Sequence, residues 1–484
     1  MRRNDLSAVP HTKIAKVVYY SRMTYPLALQ YEKAFKDADI RGIYPKEINE
    51  GLVYAVARAF VEEFAYTKVV VGRDMRLSSP ELHTAFVSGV RDAGADVIDV
   101  GMVATPQLYF ASGSMNLPGV MITASHSPAA YNGLKLVHAE AIPLTKRNGL
   151  TQILKRVKRG QWTKPAKKGK FQKKNIDAGY QKRVLAGIKP KHYAGLRIAT
   201  DIGNGMAHDI VPLLAAKLPI KFDTIFARRD GRFPNRDSDP NLRENQAALD
   251  DKIDHGHFDF GISFDGDADR IAFLDEHGNY VNSAAIGALI AKRMLAREPK
   301  AKIASTNLNS RIYDETIKAA GGKVVMARTG HTFVKEAMRK HQAVFGCEYS
   351  GHFFFRDFFY TDSEVLTLRE VLDAYVEAKA AGQTFGEMMA PYLVYHQTED
   401  IVIKVADKDI AMAKVHEYLV SLKPKTLKKF DGYFVDFGDV WGAVKMSVTE
   451  YGVKLMFEST SKAKAVKLQK QIATFVKSVA KESC

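Results

Sequence analysis

Asp265-Gly-Asp-Ala-Asp-Arg270 sets three carboxylates at alternate positions, spaced by Gly266 and Ala268. A tight turn of this kind can bring Asp265, Asp267 and Asp269 onto one small cation and supply the hard oxygen ligands that Mg²⁺ prefers. The competing reading is a solvated Asp-rich turn. The apolar runs on either side, FGIS and IAFL, weigh against it, because they would hold the loop between two buried strands where unpaired carboxylates are costly.

Three carboxylates leave Mg²⁺ short of ligands, and a phosphate oxygen is a usual completion. ITASHSPAAYNGLKL, residues 122–136, offers a place to carry one. Its apolar run stops at a threonine, a serine and a histidine, then turns through Pro128 and Gly133 to Lys135. Ser125 is either a capping hydroxyl, the commoner fate of serine at such a turn, or a covalent phosphoryl carrier that splits a difficult transfer into two easier steps.

These loops need elements to hold them, and the chain alternates β-branched runs with helical patterns. KVVVGRD at Lys68 to Asp74 reads as a strand. Ser79 follows as an N-cap with Pro80 at N1, and Gly94 closes the helix before the strand DVIDVG. The grammar resumes at LRIATDIGNG and again at KIASTN, and each round ends in a polar loop beyond a strand's carboxyl end, where open α/β sheets place ligands. From about Ile401 the pattern becomes a smaller unit closing in a basic helix. The expected architecture is three consecutive α/β mixed-sheet domains plus a smaller C-terminal α+β domain around a central cleft. Their expected extents are residues 1–175, 176–281, 282–393 and 394–484.

Composition bounds the answer less sharply. The 484 residues imply three or four domains, and the net charge of +17 suits an anionic partner. Ten Lys or Arg between Lys155 and Lys174, with Gly160, Pro165 and Gly169, read as a solvated linker or long loop. A nucleic-acid patch is disfavoured there, since only Trp162 and Phe171 interleave. Cys347 and Cys484 are the only cysteines, which argues against a disulfide framework. With no signal-peptide pattern and no apolar run near ~18 residues, the expected location is cytoplasmic, with no membrane partner.

TASHSP around Ser125, DGDADR at Asp265 and CEYSGH at Cys347 to His352 resemble the phosphoserine, metal and sugar-recognition loops of the α-D-phosphohexomutases, in the same order and with similar spacing. FKDADIRGIY and RTGHTFVKEAMR resemble two further elements of that family, and the similarity is greatest to its phosphomannomutase/phosphoglucomutase branch. The resemblance implies an intramolecular phosphotransferase that interconverts hexose 1-phosphate and hexose 6-phosphate, of mannose or glucose. It further implies a phosphoserine enzyme, Mg²⁺, and a hexose 1,6-bisphosphate as intermediate and activator. A phosphoglucosamine or phosphopentose mutase, or a non-catalytic sugar-phosphate binding homologue, stands as the alternative. Sugar phosphates are the expected partners, with a monomer or dimer.

Carried over residue by residue, the resemblance makes Ser125 the phosphoryl carrier and Asp265, Asp267 and Asp269 the metal ligands, with Ser125 joining them. Arg270 would neutralise the transferring group, though an ordinary surface ion pair is the plainer role. Glu348 and Ser350 match residues that bind sugar hydroxyls. Arg41, Lys135 and His352 are candidates for proton transfer or charge support, His331 for substrate binding, and His126 for support of its loop. In the last module KMSVTEYG is the nearest match to a phosphate cradle, through Lys445, Ser447 and Thr449, with lysine in place of the family's arginine and Tyr451 in place of its proline. Tyr349 stands between Glu348 and Ser350, where a bulky phenol would affect sugar preference.

Overall fold

The computed structural model describes residues 17–18, 25–447 and 451–482. Thr449 and Cys484 lie outside the described residues.

Three α/β sheets follow one another, and they share a motif. In the first, Gly119–Ile122 runs parallel to Lys68–Arg73 and turns back into the antiparallel Tyr131–Val137. In the second, Phe260–Phe264 runs parallel to Arg197–Asp201 and returns as Ile271–Leu274. In the third, Phe345–Cys347 runs parallel to Lys302–Thr306 and returns as Phe353–Phe355. The turn that closes each hairpin carries, in order, Ser125, the acidic triad and Glu348. Four-residue runs such as GVMI and IAFL are buried throughout, as strands covered on both faces must be.

A fourth sheet is wholly antiparallel among its described strands, with Val440–Met446 and Val453–Ser459 at its centre. Helices Lys408–Ser421 and Lys462–Glu482 complete it. The observed fold is therefore three mixed-sheet α/β domains followed by a smaller α+β domain.

The apolar cores are distributed unevenly. The first domain has its own cluster, containing Leu52, Phe60, Val71 and Phe86. The fourth has another, containing Val415, Val444, Phe457 and Val476. One continuous cluster lies under both the second and the third sheets; Phe260 and Phe273 from the second stack with Phe385 of the short helix Phe385–Met389 at 4.5 and 6.4 Å. The fourth domain meets the third through a polar seam. Arg311 lies 3.6 Å over the Trp441 ring and its Nη2 pairs with Asp436 at 2.6 Å, while Glu458 accepts from Arg311 N and Trp441 Nε1.

Two local expectations are corrected. The basic stretch from Lys155 to Lys174 is exposed for most of its length and residues 160–170 run as a loop, but its two ends are regular structure. It contains the end of helix Thr151–Arg159 and the strand Phe171–Lys173, which extends the first sheet beside Asp96–Met102. Its charge is balanced at a distance: Arg156 meets Glu62 and Glu63, Lys158 meets Glu32, Lys168 meets Asp92, and Trp162 is buried beneath Arg58. Ser79 does not cap its helix, which begins at Ser79 with Ser78 as N-cap. The Ser79 hydroxyl donates instead to Asp74 Oδ1 at 2.6 Å.

Candidate active site

The serine and acidic loops meet. Ser125 Oγ donates to Asp265 Oδ2 at 2.8 Å, although 140 residues separate them in sequence. Ser125 has φ +50°, a left-handed backbone unusual for a residue with a side chain, and its amide is held by Thr123 Oγ1 at 2.9 Å. Gly266 is glycine for a steric reason: a Cβ there would stand 2.8 Å from the Ser125 carbonyl oxygen. The acidic loop is anchored through its backbone, with Thr105 N donating to Asp267 O at 3.0 Å and Met206 N to Gly266 O at 2.9 Å.

Asp265, Asp267 and Asp269 are all buried and each brings an oxygen within 4.8 Å of the others. Asp269 N and Arg270 N donate to Asp265 Oδ1 at 3.0 and 3.2 Å. Thr105 Oγ1 donates to Asp267 Oδ2 at 2.5 Å, and Lys135 Nζ bridges Asp267 Oδ2, at 2.7 Å, to Asp269 Oδ2. Asp267 Oδ1 and Asp269 Oδ1 are buried yet receive no hydrogen bond. Orphaned hard oxygens beside an excess of negative charge suit a divalent cation.

The three carboxyl groups differ in how their surroundings shift them. Burial, and then repulsion from Asp267 and Asp269, pushes Asp265 well above the usual carboxylate range. Burial would raise Asp269 as well, but Lys135, His352 and Arg270 hold it far below. Lys135 stays protonated because the same two aspartates outweigh its burial.

The sugar loop closes the other side. Glu348 Oε1 accepts from Gly330 N at 2.6 Å, and Ser350 Oγ lies 3.0 Å from His352 Nδ1. His352 Nε2 sits 3.4 Å from both Asp269 Oδ1 and Arg270 Nε, so this loop touches the acidic loop directly. Arg270 also faces Asp239 at 3.5 Å. His331 stacks on His352 with ring centroids 5.6 Å apart, and burial, with Lys335 and Lys135 nearby, keeps it neutral. Arg41 donates to Asp39 from Nε and Nη2, and to Ser127 Oγ at 3.1 Å from Nη1, which ties it to the serine loop. His126 is held neutral by burial and by Arg270 and Arg41, with Nδ1 3.5 Å from Ser125 Oγ.

A second cluster, Asp269, His352 and Asp362, gathers its ligand atoms as closely. A cation is already there: Lys335 Nζ stands 2.9 Å from Asp362 Oδ1 and 4.1 Å over the Tyr109 ring.

The last-domain residues are arranged differently. Lys445 lies close enough for its charge to act on Glu348, but it is ion-paired with Asp431, whose Oδ2 also accepts from Thr329 N at 2.8 Å. Ser447 N donates to Gly452 O at 2.9 Å, and Tyr451 is exposed, with Lys408 Nζ 4.5 Å over its ring. Tyr349 is built into the seam between the third and fourth domains. Its hydroxyl accepts from Lys454 Nζ at 2.7 Å and its ring packs against Leu308, Ala443 and Met456.

Thr105, Arg76 and Asp431 were missed by sequence reasoning, because each acts through a partner far along the chain. GRDMR did carry a signal, an arginine set among residues that otherwise belong to a buried turn.

The model of the phosphoglucomutase/phosphomannomutase alpha/beta/alpha domain I matches residues 32–164, that of domain II residues 178–278, and that of domain III residues 282–392. The chain belongs to the phosphoglucomutase/phosphomannomutase family. The phosphomannomutase of Escherichia coli strain K12 is 34% identical over 438 residues, covering 88% of this chain and 94% of that one. A protein named phosphohexose mutases, from Xanthomonas campestris, is 33% identical over 440 residues, covering 90% of this chain and 97% of that one. Among solved structures, a phosphoglucomutase/phosphomannomutase family protein from Burkholderia thailandensis superposes with a TM-score of 0.84 at 28% identity, covering 93% of this chain and 98% of that one. This family member is thus an enzyme of the phosphohexomutase type, an intramolecular phosphotransferase. No helix among its described residues is long and apolar enough to cross a membrane.

Proposed function

We propose that this enzyme interconverts the 1- and 6-phosphates of mannose, glucose or both, through a phosphoserine at Ser125 and a hexose 1,6-bisphosphate. The observation that carries the reading is the 2.8 Å contact of Ser125 Oγ with Asp265, a nucleophilic hydroxyl delivered by one domain to the acidic triad of another. Asp265, Asp267 and Asp269, with an oxygen of phospho-Ser125, would hold Mg²⁺, which when bound neutralises charge on the phosphoryl group.

The chain's own residues account for the remaining work. In the transfer the Ser125 Oγ–phosphorus bond breaks and a bond from the sugar hydroxyl oxygen to phosphorus forms; the hydroxyl's proton passes to a base, Ser125 Oγ leaves with the bonding pair and takes up a proton, and the reverse transfer from the other end of the bisphosphate restores phospho-Ser125. His352, bounded by Asp269, Arg270 and Ser350, is placed to take that proton at a ring nitrogen. Lys135 and Arg41 supply fixed positive charge at the acidic and serine loops respectively. Glu348 and Ser350 orient the sugar through its hydroxyls. Arg270, His331, Lys445, Ser447 and Thr449 hold its phosphates, and the exchange of ends follows when the bisphosphate turns over in the cleft.

The test is a coupled assay on mannose 1-phosphate and glucose 1-phosphate, each with and without catalytic bisphosphate and Mg²⁺, with phosphoprotein mass determined on Ser125. Turnover that requires both additions and vanishes in Ser125→Ala is expected. Parent-like turnover in Ser125→Ala refutes the reading.

A further inference from the structure

We infer that Arg76 is a positioning residue for Ser125: its guanidinium clamps the backbone of the serine loop so that the hydroxyl stands against the acidic triad. This rests on the reading of Ser125 as the phosphoryl carrier.

Arg76 follows the strand Lys68–Arg73, and its side chain is fully buried. Nη2 donates to Ser125 O at 2.7 Å and to Ser127 O at 2.5 Å, and Nη1 donates to Pro128 O at 2.8 Å and to Tyr131 O at 2.9 Å. Both terminal nitrogens are thereby spent on carbonyls of one loop. Only a planar fork with five N–H groups can meet that set and still turn Nε toward Asp74, 3.3 Å away. Asp74 is fixed in turn by Arg76 N and by the Ser79 hydroxyl, which also accepts from Asn132 Nδ2 at 3.0 Å.

The second domain seals the clamp from the other side. The Phe233 ring lies 5.0 Å from the guanidinium carbon, and Ser238 Oγ donates to the Ser125 carbonyl at 3.3 Å. Gly231 packs so closely that a Cβ would meet Arg76 Cα at 2.7 Å. The loop from Arg229 to Asn241 thus acquires a role, as the cover over this clamp.

Two consequences follow for chemistry. The left-handed Ser125 backbone is disfavoured for a residue with a Cβ and persists only where its surroundings hold it. Contacts to the carbonyls of residues 125, 127, 128 and 131 supply that hold. The guanidinium also keeps a fixed positive charge behind a hydroxyl that gains close to two negative charges on phosphorylation. The fields of Asp267 and Asp265 both reach Arg76, which places that charge within range of the site.

Arg76→Lys keeps the charge and removes the fork. Labelled glucose 1,6-bisphosphate with Mg²⁺ measures the rate of Ser125 phosphorylation, steady-state kinetics on glucose 1-phosphate give kcat and KM, and the thermal midpoint reports folding. The phosphorylation rate and kcat are expected to fall about a hundredfold, as for a misplaced reacting group, with KM within about twofold of the parent. A variant with kcat within about twofold of the parent, or one that changes KM alone, overturns the inference. If Arg76→Lys melts below the assay temperature, variant and parent are both assayed below the variant's melting point, with the same expected loss in kcat and the same overturning result. A parent that takes up no label on Ser125 overturns both this inference and the proposed function, whereas a labelled parent matched by the variant overturns this inference alone.

Discussion

Two hairpin turns handle charge in opposite ways. The turn between Phe260–Phe264 and Ile271–Leu274 concentrates three buried carboxylates and leaves Asp267 Oδ1 and Asp269 Oδ1 without a donor. The strand Val440–Met446 carries Lys445 near its end, and that cation is already matched by Asp431 from a neighbouring turn. One loop calls for a ligand to complete it, while the lysine of the other already has a carboxylate partner.

The comparison can be broken at the acidic turn first. Asp267→Asn removes one charge and the acceptor of both Lys135 and Thr105. A loss of about a thousandfold in kcat is expected, together with loss of saturable Mg²⁺ dependence, measured by titrating the cation in the coupled assay. Retention of more than about a tenth of parental kcat would show that the triad does not carry the reaction. At the other turn, Lys445→Ala should raise KM for the hexose phosphate about tenfold and leave kcat within about threefold, since one charge-assisted contact is lost. A fall in kcat comparable to that of Asp267→Asn would erase the distinction between the two loops.

A further buried carboxylate sharpens the contrast by carrying a proton. Glu364 is pushed up to about 8, chiefly by burial, with the Tyr180 hydroxyl as its side-chain partner. Its ordinary value is 4.5, so between 4.5 and about 8 the folded protein binds a proton that the unfolded chain releases. That contribution to stability is complete below the lower value and is lost as pH rises through the upper one. Glu364→Gln should therefore have a thermal midpoint that falls less steeply than the parent's between pH 6 and pH 9, read by differential scanning fluorimetry. Parallel curves would refute this, and the effect on activity should be the smallest of the three.

Much of the architecture could be read in the sequence because local pattern and global placement agree. GVMI, FGIS and IAFL are apolar runs that form buried strands, and the polar residues interrupting them are the hairpin turns. The acidic triad was legible for the same reason, since its flanks announce burial and its spacing announces convergence. What escaped notice depends on partners distant in the chain. The Lys155 to Lys174 stretch looks like an unpartnered linker until Glu62, Glu63 and Asp92 are brought beside it. Asp431 and Thr105 carry no local mark, and Tyr349 reads as a sugar neighbour until Lys454 draws its hydroxyl into an interdomain seam.

The apolar cluster shared by the second and third sheets makes those two sheets a single rigid block. The acidic loop and the sugar loop are therefore carried at one separation, which His352 closes by lying 3.4 Å from Asp269 Oδ1. The first domain is tied to that block as well, since Met75 and Ala104 belong to the same apolar cluster and Thr105 N donates to Asp267 O, whereas the fourth has a core of its own.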